Sequence, residues 1–152
     1  MANTRPLVIG VGNPDAGDDA AGRIVARNLQ CSDHGAFDIE EASGEATGLM
    51  ALFANRARVV IVDACLSGDP PGTLRRIDAR RAELPRQLAG YSSHGFGVAA
   101  AIGLAGTLGQ LPETVILHTI EGAAFVPGEA PCAQVLQACA QLADLLRDEL
   151  GA

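Results

Sequence analysis

Apolar and polar positions along the chain alternate between two periods. Leu7 to Gly12 is an uninterrupted apolar run, as expected of a strand buried on both faces. From Asp18 to Leu29 the apolar positions Ala21, Ile24, Val25 and Leu29 recur at helical spacing, with Arg23 and Arg27 on the other side. Ser32-Asp33-His34-Gly35 reads as a turn, Phe37–Glu41 as a short strand and Ala46–Arg56 as a second helix. Arg58–Ala64 is the cleanest strand, and it carries an acid, Asp63, at its carboxyl end. The run Gly68-Asp69-Pro70-Pro71-Gly72 breaks the chain, and Thr73–Asp78 alternates as a strand at a sheet edge would. Arg80 to Gly90 is charged and expected to be exposed; an apolar helix follows from about Phe96 to Gln110, stopped by Pro112. Thr114–Ile120 is a last strand, and Cys132–Leu150 a closing amphipathic helix.

Strands alternating with helices predict a three-layer α/β/α domain, residues 1–152, around a mostly parallel twisted sheet of five strands. Ligands of such sheets bind beyond the carboxyl ends of the strands, where strand order reverses. If the first strand lies between the second and third, that point falls between strands one and three. Asp18 and Asp19 follow the first, and Asp63 ends the third. Asp18 or Asp19 also suits an N-cap or first helical turn, and Asn at position 18 would preserve a cap.

Composition narrows the partners. The net charge is −7, which argues against nucleic acid and anionic membranes. There is no Trp and one Tyr, so the core must be aliphatic. The N-terminus has no basic stretch followed by an apolar one, so a cytoplasmic location without signal peptide is expected. Cys31, Cys65, Cys132 and Cys139 form no C-x-x-C pair and are expected to be reduced and buried as small hydrophobes.

Two carboxylates and an imidazole can hold a divalent transition metal, and His94, between Ser93 and Gly95 before the apolar helix, is the imidazole in the right kind of loop. His118 lies inside a strand and reads as a core or edge residue, and His34 as turn surface. Gly10-Val11-Gly12 between strand and helix also admits a dinucleotide reading, with Glu40 or Glu41 toward a ribose. However, Asp15, Asp18 and Asp19 stand where a pyrophosphate needs N–H donors and positive potential. No H-E-x-x-H segment and no Ser–His–Asp or Cys–His nucleophile arrangement is legible.

Taken in order, Gly10-Val11-Gly12-Asn13 with Gly17-Asp18-Asp19, Ile61-Val62-Asp63-Ala64 and Ser93-His94-Gly95-Phe96-Gly97 resemble the hydrogenase maturation proteases. Ser43-Gly44-Glu45-Ala46-Thr47, Pro71-Gly72-Thr73 and Ile120-Glu121-Gly122 are similar to segments of some members. The resemblance runs from Leu7 to the last helix. It implies an endopeptidase that trims the C-terminal extension from the large-subunit precursor of a nickel–iron hydrogenase. It further implies that Asp19, Asp63 and His94 contact nickel already inserted in that precursor, so that nickel arrives with the substrate. Asp18 would act through Asp19. Many members carry Glu at the position of Asp19, and apolar residues where this chain has Pro14-Asp15. A nickel-binding chaperone without catalysis, or a small nucleotide-binding regulator, are the alternatives; a monomer or small homo-oligomer is expected.

Overall fold

The computed structural model describes residues 3–32, 34–81 and 97–151. Five strands form one sheet: β1 (Leu7–Val11), β2 (Asp38–Ala42), β3 (Arg58–Cys65), β4 (Leu74–Asp78) and β5 (Thr114–Glu121). Their spatial order is β2-β1-β3-β5-β4. The β1–β2, β1–β3 and β3–β5 pairs are parallel, and β4 joins the β5 edge antiparallel. β1 is buried at all five positions, and β5 at every position after its first, as the apolar runs predict for strands covered on both faces. The expected three-layer architecture and the antiparallel edge strand are both present.

Successive residues of a strand point to opposite faces, and the two faces build two cores. Val8, Val60, Val62, Ala64 and Ile120 face a layer made by α1 (Ala21–Gln30) and α4 (Ala133–Gly151). Leu7, Ile9, Val59, Ile61, Val115 and Leu117 face α2 (Ala46–Phe53) and α3 (Gly97–Thr107). The cores are aliphatic apart from Phe37 in the first and Phe53 in the second.

Three helix ends depart from the sequence pattern for local reasons. α1 does not start at Asp18: a 3-10 turn, Gly17–Ala20, precedes it, and no side chain caps either segment. α2 is capped by the Glu45 carboxylate, which accepts from the amides of Thr47 and Gly48, and it stops at Phe53, before left-handed Asn55 (φ 60°). α3 ends before Pro112. Left-handed Gly109 (φ 69°) donates to the Gly106 carbonyl and Gln110 to that of Ala105, a Schellman closure. Phe96 lies outside the described residues, as do residues 82–90 of the charged stretch.

The position of α1 follows from two glycines. A Cβ on Gly22 would fall 2.3 Å from the carbonyl oxygens of both Val11 and Val62, and one on Gly10 would fall 2.2 Å from that of Gly22. The start of α1 therefore lies directly on the carboxyl ends of β1 and β3, where the strand order reverses. Gly22→Ala should push the helix off the sheet and cost about 3 kcal/mol or more of stability in urea unfolding followed by circular dichroism. In contrast, a Cβ on Gly103 in α3 meets nothing within 4 Å, and Gly103→Ala should raise stability by about 0.5–1 kcal/mol in the same assay.

Candidate active site

The β1–α1 connection carries the acids to the switch point. Gly12 (φ 147°) turns the chain so closely that a Cβ there would lie 2.0 Å from the Asp19 carbonyl oxygen. The guanidinium of Arg23 donates to the Gly12 carbonyl at 2.8 Å, and the Asp19 carboxylate accepts from the Asn13 amide at 3.3 Å. This amide belongs to the glycine turn where a dinucleotide would place its phosphates, and a carboxylate already holds it. Glu41, the candidate ribose ligand at the end of β2, is instead paired with Arg23 and Arg27 at 3.5 and 3.1 Å. The turn is built around acids rather than for an anion.

Asp18 does not cap a helix. It is buried, and its carboxylate reaches across to the connection between β5 and α4. There Ala123 donates its N–H to Oδ2 at 2.6 Å, Ala124 to the same oxygen at 3.3 Å and Cys132 to Oδ1 at 2.7 Å. The Cys132 thiol lies 3.5 Å from Oδ2. Main-chain bonds continue the seam: Asp18 N–H to the Ala124 carbonyl, Gly17 N–H to that of Glu129 and Gly128 N–H to that of Asp15. Gly122 leaves the room, since a Cβ there would sit 2.9 Å from Asp18 Cβ. Nothing in the local sequence signals this role, because its partners lie more than a hundred residues away.

Asp63 belongs to β3 itself, which runs on to Cys65. By alternation its side chain shares the α2–α3 face with Ile61 and Cys65. Its hydrogen bond is to its own neighbour, from the Ala64 amide at 2.8 Å. Burial of the carboxyl, reinforced by the charge of Asp19, pushes the Asp63 pKa well above the ordinary carboxylate range, against the small opposing effect of the Ala64 amide. Asp63 as a residue is half-buried. The charge of Asp19 is thus close enough to be felt at Asp63, across the point where the strand order reverses. His94 lies outside the described residues; α3 starts three residues after it in sequence and packs on the face that Asp63 shares. Among the described residues alone, no group of three His, Cys, Asp or Glu side chains is placed to hold a metal ion.

Next to Asp63 the structure adds residues to which the sequence assigns no role. Thr119 is its register partner on β5; it is buried, and its hydroxyl lies beside the Cys65 thiol. One step further, Cys65 is opposite Glu121, whose carboxylate accepts from the Ser67 hydroxyl, the Ser67 amide at 2.7 Å and the Cys65 thiol at 3.4 Å. Glu121 is 2% exposed but close to the surface. Burial alone would raise its pKa; the bonds from Ser67, with Cys65 and Gly68, outweigh that and bring it below the ordinary glutamate value. Burial and the adjacent Glu121 charge push the Cys65 thiol up to about 11, so it is not a ready nucleophile. The register was the missing signal: only the β3–β5 pairing places Thr119 beside Asp63.

The remaining candidates fall away from the site. His118 is buried in β5, where burial lowers its pKa. His34 lies beside Phe37, with Nδ1 3.4 Å from the Phe37 carbonyl. All four cysteines are free. Cys65 and Cys139 are buried as expected, whereas Cys31 is exposed and Cys132 half-buried beside Asp18.

The family model for the hydrogenase maturation protease HycI matches residues 26–139. The chain belongs to the hydrogenase maturation protease family. The matched span includes Asp63, His94 and Glu121 and starts after Asp19. Solved structures of hydrogenase maturation proteases have the same fold. A [NiFe] hydrogenase maturation protease HycI from Thermococcus kodakarensis KOD1 is 23% identical, with a TM-score of 0.74 over 98% of this chain and 94% of that one. The hydrogenase maturating endopeptidase HybD from E. coli is 24% identical, with a TM-score of 0.72 over 96% and 94%. The hydrogenase 2 maturation peptidase from Thaumarchaeota archaeon SCGC_AB-539-E09 is 27% identical, with a TM-score of 0.69 over 97% and 99%. Among curated proteins compared by sequence, none matches. Among the described residues, no helix of this maturation protease is long and apolar enough to cross a membrane.

Two stability measurements test these assignments. Asp18→Asn should cost about 3 kcal/mol or more in urea unfolding, because an amide N–H2 must then face at least one of the three backbone donors. This replaces the mild effect expected of a helix cap. For Asp63 the folded pKa is raised, so ionisation destabilises the fold, and the loss grows as pH rises from the ordinary carboxylate range through the raised value. Asp63→Asn should therefore be more stable than the natural chain at pH 7. The gain should vanish near pH 4 in thermal melts taken across that range.

Proposed function

We propose that this chain is the endopeptidase that removes the C-terminal extension of a nickel–iron hydrogenase large-subunit precursor, and that it recognises nickel already inserted there. The observation that supports this reading most is the placement of two acids on the two sides of the strand-order switch point, Asp19 in the turn after β1 and Asp63 near the carboxyl end of β3, with Asp63 buried and facing the charge of Asp19. A pair of acids held in repulsion costs stability and is relieved when a cation enters between them. The cation arrives with the substrate: carboxylate oxygens from Asp19 and Asp63 and a ring nitrogen from His94 are donors that suit nickel. Held in this way, the metal registers the precursor so that the scissile bond lies against the switch point. Hydrolysis then adds water across the peptide bond: the water oxygen joins the carbonyl carbon, the C–N bond breaks and a proton passes to the departing amine. Asp18 contributes by tying the Asp19 turn to the β5–α4 connection.

The test is cleavage of purified precursor, with and without nickel, followed by gel mobility. The nickel-loaded precursor should be trimmed and the metal-free one left intact. Asp19→Ala, Asp63→Ala and His94→Ala, each shown to be folded by circular dichroism, should each lower processing by about 100-fold or more. His118→Ala and Cys65→Ser should leave the cleavage chemistry intact. Efficient trimming of metal-free precursor, or full activity of Asp63→Ala, would refute nickel recognition. Tight binding of nickel-loaded precursor without cleavage would instead identify a chaperone.

A further inference from the structure

Beyond the acids, the carboxyl ends of β3 and β5 open into a cleft of about 660 Å³, lined by Leu66, Ser67, Gly68, Asp69, Pro71 and the segment 121–123. We propose that this cleft seats the segment of the precursor that carries the scissile bond, in extended conformation, and that Glu121 is the positioning residue that holds its wall. The proposal rests on the protease reading above, which it deepens by locating the peptide.

The location is the first argument. Leu66 lies three residues beyond Asp63, and Ala123, on the opposite wall, donates its amide to Asp18, the neighbour of Asp19. The cleft thus lies just past the carboxyl end of β3, the strand that carries Asp63. Its volume is within the roughly 300–1,000 Å³ common to ligand sites, enough for a few residues of chain.

The lining selects the ligand class. The two carboxylates in it are already matched: Asp69 is paired with Arg75, and Glu121 is satisfied by Ser67. Among the described residues, no uncompensated charge in the cleft is left for a cation or an anion, and no aromatic ring lines it for a base to stack on. What it presents is small and rich in main chain. Gly68 (φ 94°) has nothing within 4 Å of where a Cβ would be, so another backbone can come close to it. A neutral, extended peptide fits these surfaces.

The walls are held rigid from one residue. The Glu121 side chain grips the start of the loop through the Ser67 hydroxyl and amide. Its main chain grips the end of the same loop: the Gly72 N–H donates to the Glu121 carbonyl at 2.8 Å, and the Glu121 N–H donates to the Thr73 carbonyl at 2.9 Å. The facing wall is fixed by the Gly122 amide on the Cys65 carbonyl at 2.8 Å and by the Ala123 amide on Asp18. A groove ordered before binding spares the peptide the cost of ordering it.

Steady-state cleavage of nickel-loaded precursor by the full chain tests the assignment. Ala123 is exposed on the rim, and Ala123→Trp should fill the groove, raising KM by about tenfold or more with kcat within about threefold. Glu121→Gln turns an amide N–H2 toward Ser67 and should raise KM by about tenfold, with faster hydrogen exchange at the amides of residues 67–73. Ser67→Ala should shift KM in the same direction. A folded Ala123→Trp variant with natural KM overturns the cleft while the protease reading stands; if that variant does not fold, natural KM in both Ser67→Ala and Glu121→Gln overturns it instead. Should the natural chain fail to cleave the precursor, the protease reading falls. Calorimetric binding of the same precursor then decides the cleft: weakened affinity in Ala123→Trp supports it, and unchanged affinity overturns it.

Discussion

Three backbone amides, from Ala123, Ala124 and Cys132, converge on one buried carboxylate at Asp18, and the carboxyl end of the sheet is organised by that convergence. A connection that leaves β5 and enters α4 has amides with no strand or helix partner. Three of them are satisfied by a side chain that arrives from the far side of the switch point. Hydrogen bonds to a charged acceptor are roughly twice as strong as neutral ones, and a buried acceptor of this kind cannot be exchanged for water. The loop that carries Asp19 and the loop that carries Ala123 are consequently one mechanical unit.

The neighbouring acids follow the opposite logic. Asp18 is stabilised by donors, whereas Asp63 has one local amide and faces the charge of Asp19. Two adjacent positions after β1 thus divide between structure and site: Asp18 is buried and saturated with partners, and Asp19 shares its field with Asp63. The glycines decide which is which. Gly22 and Gly10 let α1 rest on the strand backbones, and Gly12 lets the turn fold back onto Asp19. With larger side chains at these positions the helix would stand off, and the acids would lose their common environment.

In the proposed function, the position of the cleft relative to this pair gives the enzyme a second contact with its substrate besides the metal. The metal contact and the peptide contact are on different elements, joined through Asp18 on one side and through β3 on the other. Cys65, a buried thiol beside Glu121, has its pKa driven upward by burial and by that carboxylate, which disfavours the thiolate. Selectivity in such an arrangement comes from registering two contacts at once.

Much of this was legible along the chain, for a physical reason. Uninterrupted apolar runs at Leu7–Gly12 and Val59–Val62 mark strands covered on both faces, and together with helical spacing between them they point to a parallel α/β sheet. Acids at or after the ends of such strands mark the switch point, which brought out Asp18, Asp19 and Asp63; the ordered motifs carried the family, and the resemblance is what singled out Asp19. The role of Asp18 was not legible, because a carboxylate before a helix looks the same whether it caps that helix or binds amides from Ala123 and Cys132, and only the folded distance separates the two. Thr119 and Glu121 were invisible as neighbours of Asp63 for a similar reason: periodicity names a strand, but register is set by how two strands slide against each other. The C-terminal ends of α2 and α3 differ from the pattern because left-handed Asn55 and Gly109 close them, local devices that compete with periodicity. Sequence by itself determined which segments are buried and where charge collects; the tertiary structure alone decided which buried charge would find partners and which would be left facing another.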